Sequence, residues 1–155
     1  MLLTRVITAA VLLAVLTLSI YIGPFAFASV MAIAFGATLY EWLRIGGLGP
    51  RPALLVAAVE MVVQLSLYWA GALDRMNWFL MLMNGCVMLA WFVIFFAELF
   101  HRENGFKVSQ RQCLCSAVTF VPAAYLSLLW LFEQGDWVLV LSVLLIVWGA
   151  DISAY

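Results

Sequence analysis

Charged residues are scarce in this sequence. Its 155 residues hold 7 Lys and Arg and 8 Asp and Glu, so 10% are charged, against about 25% in an ordinary soluble domain. The near-balance, a net charge of -1, provides no broad basic surface and excludes nucleic acid as a partner. Histidine occurs once, at His101, and cysteine three times, at Cys86, Cys113 and Cys115. No CxxC pair exists among them, so zinc sites and disulfide scaffolds have no framework. These cysteines read as small apolar packers. Period-2 alternation is also missing, which excludes a membrane β-barrel.

What is abundant is apolar. Hydrophobic residues make up 68% of the chain, and the mean hydropathy is +1.15. A soluble fold this apolar would expose patches large enough to aggregate. Six apolar runs, 6–22, 25–43, 53–73, 78–97, 113–132 and 137–155, are separated by short polar or Gly/Pro-rich breaks. Each is about long enough to cross roughly 30 Å of hydrocarbon. Helices suit this environment because they satisfy their own backbone hydrogen bonds without water. The expected fold is therefore all-α: a polytopic transmembrane bundle of about six spans in a single domain, 1–155. Arg5, the first run and Ala26-Phe27-Ala28 imitate a signal peptide with its cleavage site. The length of that run and the spans after it favour a membrane span.

The basic residues set an expected orientation. With a cytoplasmic amino terminus, Arg5, Arg44, Arg51, Arg102, Lys107 and Arg111 fall inside and only Arg75 outside. Lys and Arg concentrate in cytoplasmic loops. Both termini are then cytoplasmic, the location is the inner (plasma) membrane, and Asp151 lies near the cytoplasmic end of the sixth run. Arg102, Lys107 and Arg111 read chiefly as topology determinants that can also attract anionic headgroups. Trp42, Trp69, Trp78 and Trp137 read as interfacial anchors.

Few residues here can carry chemistry. Asp151 follows a stretch without charge from Trp137 onward. Two readings of it stay open: a helix-end carboxylate reaching water, or one that binds a divalent cation or orients a phosphate-bearing substrate. Glu41 and Arg44, three apart, can pair at a helix end, and Glu98 can pair with His101 or Arg102. Glu60 lies inside the third run with Gln64 on its face, as inter-helix glue or as the wall of a polar cavity.

The segment Gly149-Ala150-Asp151-Ile152-Ser153-Ala154-Tyr155 resembles the Ala-Asp-(Ser/Thr)-Gly-Ala-Tyr motif of phosphatidate cytidylyltransferases, the CDP-diacylglycerol synthases. Leu3-Thr4-Arg5-Val6-Ile7-Thr8-Ala9 is similar to that family's opening, and Tyr40-Glu41-Trp42-Leu43 to its Glu-Trp pair at the end of the second helix. The three occur in the family's order. Ile152-Ser153 stands where the family has a hydroxyl residue and then glycine. The resemblance implies a nucleotidyltransferase of phospholipid biosynthesis that joins CTP and phosphatidate into CDP-diacylglycerol and pyrophosphate with Mg²⁺. It implies Asp151 as catalytic and metal-binding, and Ser153 and Tyr155 as substrate-binding. It covers roughly the amino-terminal half of a family member, whose remaining half supplies further metal-binding aspartates. The chain is thus expected to be an amino-terminal fragment, inactive alone. Self-association is left open. The competing expectation is a non-catalytic polytopic membrane protein or small transporter subunit.

Overall fold

The computed structural model describes residues 2–71, 77–100, 109–135 and 137–153. Among them are six helices and no strand: α1 (Leu2–Ile22), α2 (Pro24–Ile45), α3 (Pro50–Trp69), α4 (Asn77–Phe100), α5 (Gln110–Glu133) and α6 (Trp137–Ser153). The six apolar runs correspond to them one for one. On length and composition α2, α3 and α5 can cross a membrane, while the apolar stretches Ala10–Ile22, Met81–Ile94 and Trp137–Val147 of the other three are shorter.

Local chemistry sets the boundaries. After α2, Gly47 takes φ +87°, a left-handed conformation that costs glycine nothing. Its N–H donates to the Arg44 carbonyl at 3.0 Å, and the Leu48 N–H to the Leu43 carbonyl at 3.0 Å. This paired pattern satisfies the last carbonyls of the helix, and Leu48 packs against the cluster that holds Leu43. α3 starts at Pro50, where a missing N–H is no loss. α5 opens on a capping box. The Ser109 N–H donates to Gln112 Oε1 at 2.9 Å, and the Gln112 N–H to Ser109 Oγ at 3.3 Å. Farther along, α5 continues through Pro122, which has no N–H for the Val118 carbonyl.

Two compact units divide the chain: Met1–Met31 with Leu128–Tyr155, and Ala32–Ser127. In the first, Leu16, Phe27, Ala28, Met31, Leu129 and Val140 are buried. The Phe27 and Phe132 rings stack with centroids 4.3 Å apart. Ser19 is buried too, and its hydroxyl donates to the Leu16 carbonyl at 2.7 Å.

The second unit has a core of Leu39, Leu43, Ala53, Ala57, Ala117 and Val121. Small residues let α2, α3 and α5 approach closely, as membrane helices do when van der Waals packing drives association. Gly36 shows how closely: a Cβ there would lie 2.8 Å from Met61 Sδ. Aromatic rings extend the core, with Tyr125 edge-on to Phe35 at 5.7 Å and Phe120 beside both Trp42 and Trp91.

A polar link joins α4 to α5. Asn84 Nδ2 donates to Ser127 Oγ at 2.7 Å, and Ser127 Oγ lies 2.6 Å from the Ala123 carbonyl to which it donates. Inter-helix hydrogen bonds of this kind are worth about 0.6 kcal/mol on average. A double-mutant cycle of Asn84→Ala and Ser127→Ala is expected to return a coupling of about that size. A coupling indistinguishable from zero, measured by denaturant titration in detergent micelles, would remove this link.

Outside these cores the helices show apolar side chains. Leu54, Leu55, Val59 and Val62 are exposed on α3, and Met81, Leu82, Met88 and Leu89 on α4. Such surfaces are stable against lipid and not against water. The cysteines depart from the packing expectation: Cys86 and Cys115 are exposed and Cys113 is half-buried. A thiol is apolar enough to face lipid, so burial is not required of it. Trp69, Trp78 and Trp137 stand exposed at helix ends, as interfacial anchors do. Trp42 is instead half-buried, edge-on to Phe120 at 6.3 Å. Its position near a helix end resembled an anchor's, but a neighbouring ring from α5 claims it.

Candidate functional site

Asp151 lies in the last turn of α6, and Ser153 ends that helix. Their side chains and the whole of Tyr155 lie outside the described residues. The backbone places Asp151 about 21 Å along α6 from Trp137, at the end of an apolar helix. Arg5 lies on α1 and Glu98 on α4, both with side chains outside the described set. Asp74, Arg75, His101, Arg102 and Lys107 lie outside it entirely.

The second motif is described in full. Tyr40 and Trp42 are half-buried, Leu43 is buried, and Glu41 is exposed. The expected pairing of Glu41 with Arg44 is not made. Arg44 Nη1 donates to the Leu48 carbonyl at 2.8 Å, closing the α2–α3 turn. A carbonyl left at a helix end is a fixed acceptor within reach, whereas an exposed ion pair must order two long side chains for little gain. Glu41 is thereby an exposed carboxylate with no ion-pair partner among the described residues.

Glu60 and Gln64 meet as expected, with Gln64 Nε2 donating to Glu60 Oε1 at 3.1 Å. Gln64 is 4% exposed. With Gly36, Leu39, Met61 and Val121 the pair lines a cleft that has no free volume for a water molecule. Because α3 begins at Pro50, three residues before the apolar run, Glu60 sits half-way along this 20-residue helix, about 15 Å from its start. That is deeper than the run's own boundary indicated. The Glu60–Gln64 bond lies within α3 and joins no second helix, and the close packing around it leaves no room for a solvated cavity. Among the described residues no three His, Cys, Asp or Glu side chains gather as a metal-binding set.

Asn84 and Ser127 were missed by reading the sequence for charge. Their signal was an amide inside an apolar run, which calls for an inter-helix partner.

Apolar helices whose outer faces expose apolar side chains define a polytopic α-helical membrane protein. The chain belongs to the cytidylyltransferase family: the family's sequence profile matches residues 3–155, which include all three motifs. Nucleotidyl transfer from CTP is that family's chemistry. No curated protein and no solved structure matches the chain.

Proposed function

We propose that this chain is the amino-terminal part of a phosphatidate cytidylyltransferase. The Gly149–Tyr155 motif, whose first five residues end α6, carries this reading, and the family match supports it. In the reaction a phosphate oxygen of phosphatidate attacks the α-phosphorus of CTP. The bond to the β-phosphate breaks and pyrophosphate leaves. Two anions must approach one another, so positioning and charge neutralisation do most of the work. The carboxylate of Asp151 is the hard oxygen donor that Mg²⁺ prefers, and bound Mg²⁺ would neutralise phosphate charge. Ser153, the last residue of α6, and Tyr155, two positions on in the sequence, supply a hydroxyl and a phenol, groups that can hydrogen-bond a headgroup or nucleotide.

One carboxylate does not make a two-metal clamp. We therefore infer that the 155 residues act with the carboxyl-terminal segment that family members carry. The test uses the purified chain, alone and fused to the carboxyl-terminal half of a family member, in detergent with labelled CTP, phosphatidate and Mg²⁺. Product is expected from the fusion and none from the chain alone. A correctly inserted but inert fusion would defeat the functional reading, and clear turnover by the chain alone would show that its own residues complete a site.

The same reading includes six spans in the inner membrane with both termini cytoplasmic, supported by the distribution of Lys and Arg. Gln134, exposed in the α5–α6 turn, tests it. A Gln134→Cys variant lacking the native cysteines is expected to react with an impermeant maleimide from outside intact cells. Reaction only after the inner face is opened would reverse the topology.

A further inference from the structure

We propose that the α2–α3 turn and the first turn of α5 form a seat for the headgroup of an anionic phospholipid in the surrounding leaflet. These two segments are in contact within one unit. A Cβ at Gly47 would lie 2.9 Å from Gln110 Nε2, and one at Gly46 would lie 3.0 Å from Leu114 Cδ2. Three arginines belong to the junction: Arg44 before the turn, Arg51 after it, and Arg111 beside Gln110. All three are exposed. Arg44 is held by its bond to the Leu48 carbonyl, which occupies one of its five donors. Glu41 lies one turn back on α2, but no acidic residue occurs from Trp42 to Val59 or from Ser109 to Phe132. The junction is therefore net positive, and the first turns of α3 and α5 add their own positive dipole ends.

The apolar surface beneath identifies the occupant as a lipid. Leu54 and Leu55, one turn along α3 from Arg51, are exposed and share its face. Cys115 and Val118, one and two turns along α5 from Arg111, are exposed too. Arg51 and Arg111 thus each stand at the head of an uncovered apolar stripe. A phosphate above and acyl chains below match that arrangement, whereas a free phosphate would use only its upper part. The seat holds a boundary lipid and is independent of turnover, so it stands or falls apart from the cytidylyltransferase reading.

Native mass spectrometry of the purified chain tests it, with phosphatidylglycerol and phosphatidylcholine of identical acyl chains and with inorganic phosphate as competitor. Wild type is expected to retain phosphatidylglycerol preferentially. Each arginine removed should cost about fivefold in that preference, equivalent to about 1 kcal/mol for a basic residue near an anionic lipid surface. The Arg51→Ala/Arg111→Ala pair should then lose about 25-fold, while Arg51→Lys/Arg111→Lys keeps most of the preference. Equal retention of the two lipids by wild type, or an unchanged preference in the alanine pair, overturns the proposal. So does an equal loss in the lysine pair with helicity intact, because charge would then not be the cause. Displacement of the lipid by millimolar inorganic phosphate would reveal a free-anion site instead.

Discussion

Asp151→Asn is expected to lower CDP-diacylglycerol synthesis by about 10²–10³-fold in an active enzyme that carries this chain, with membrane insertion unchanged. Removing one preorganised electrostatic contact from a transition state typically costs about 2.7–4 kcal/mol. The substitution keeps nearly the same volume and removes the charge, so a carboxylate that holds a cation or orients the triphosphate loses its role while the helix does not lose its fit. The defect should fall mainly on kcat, because the contact matters most as charge develops. Asp151→Glu keeps the charge but moves it by one methylene, and a positioned carboxylate predicts a clear defect there as well. Near wild-type turnover by the Asn variant would reduce Asp151 to a helix-end carboxylate reaching water. The family assignment would survive that result, since it rests on residues 3–155 as a whole.

Tyr125→Ala should be among the most destabilising single changes in the chain. Tyr125 is fully buried, with no exposed surface, and meets Phe35 edge-on at 5.7 Å. Truncating a buried aromatic to alanine costs about 3–5 kcal/mol in soluble cores. Lipid tails are as apolar as the core, so the transfer part of that cost is small here and lost packing dominates. The expected destabilisation is therefore about 3 kcal/mol, the low end of the range. Tyr125→Phe keeps the ring and should cost less than about 1.5 kcal/mol. Detergent-unfolding midpoints of the three proteins measure both effects. An alanine variant that unfolds with wild type would mean that Tyr125 is not the packing residue this core requires.

Glu60 and Arg44 each bond a neutral group rather than an opposite charge. Arg44 does not make the salt bridge to Glu41 that their spacing suggests, and Glu60 meets the amide expected of it. Glu60 accepts from the Gln64 amide in a closely packed cleft, and Arg44 donates to a backbone carbonyl. In both cases the partner is a neutral group four residues away in the chain. That choice avoids ordering two long side chains for a weak surface ion pair.

Sequence by itself determined the class of fold. The scarcity of charge and the length of the apolar runs leave helices in lipid as the stable arrangement, because only there are the backbone groups satisfied without water. It also marked the break between the second and third helices, through the glycines and prolines from Gly46 to Pro52, whereas the Ser109–Gln112 cap that starts α5 three residues ahead of its apolar run is seen only in the structure. The family too was legible, since a motif of consecutive residues such as Gly149–Tyr155 needs no folding to be read. Tertiary structure alone decided which face of each helix is covered. Almost every position in these runs is apolar, so hydropathy barely distinguishes a residue packed on a neighbour from one facing lipid. Leu39 and Leu43 are buried, whereas Leu54 and Leu55 are exposed, and nothing in their chemistry separates them. The same holds for Trp42 against Trp69, for the closeness of α2 to α3 at Gly36, and for the arginines of three helices at one junction. Those outcomes depend on which helices meet, and that is set by shape and van der Waals contact between residues far apart in the chain.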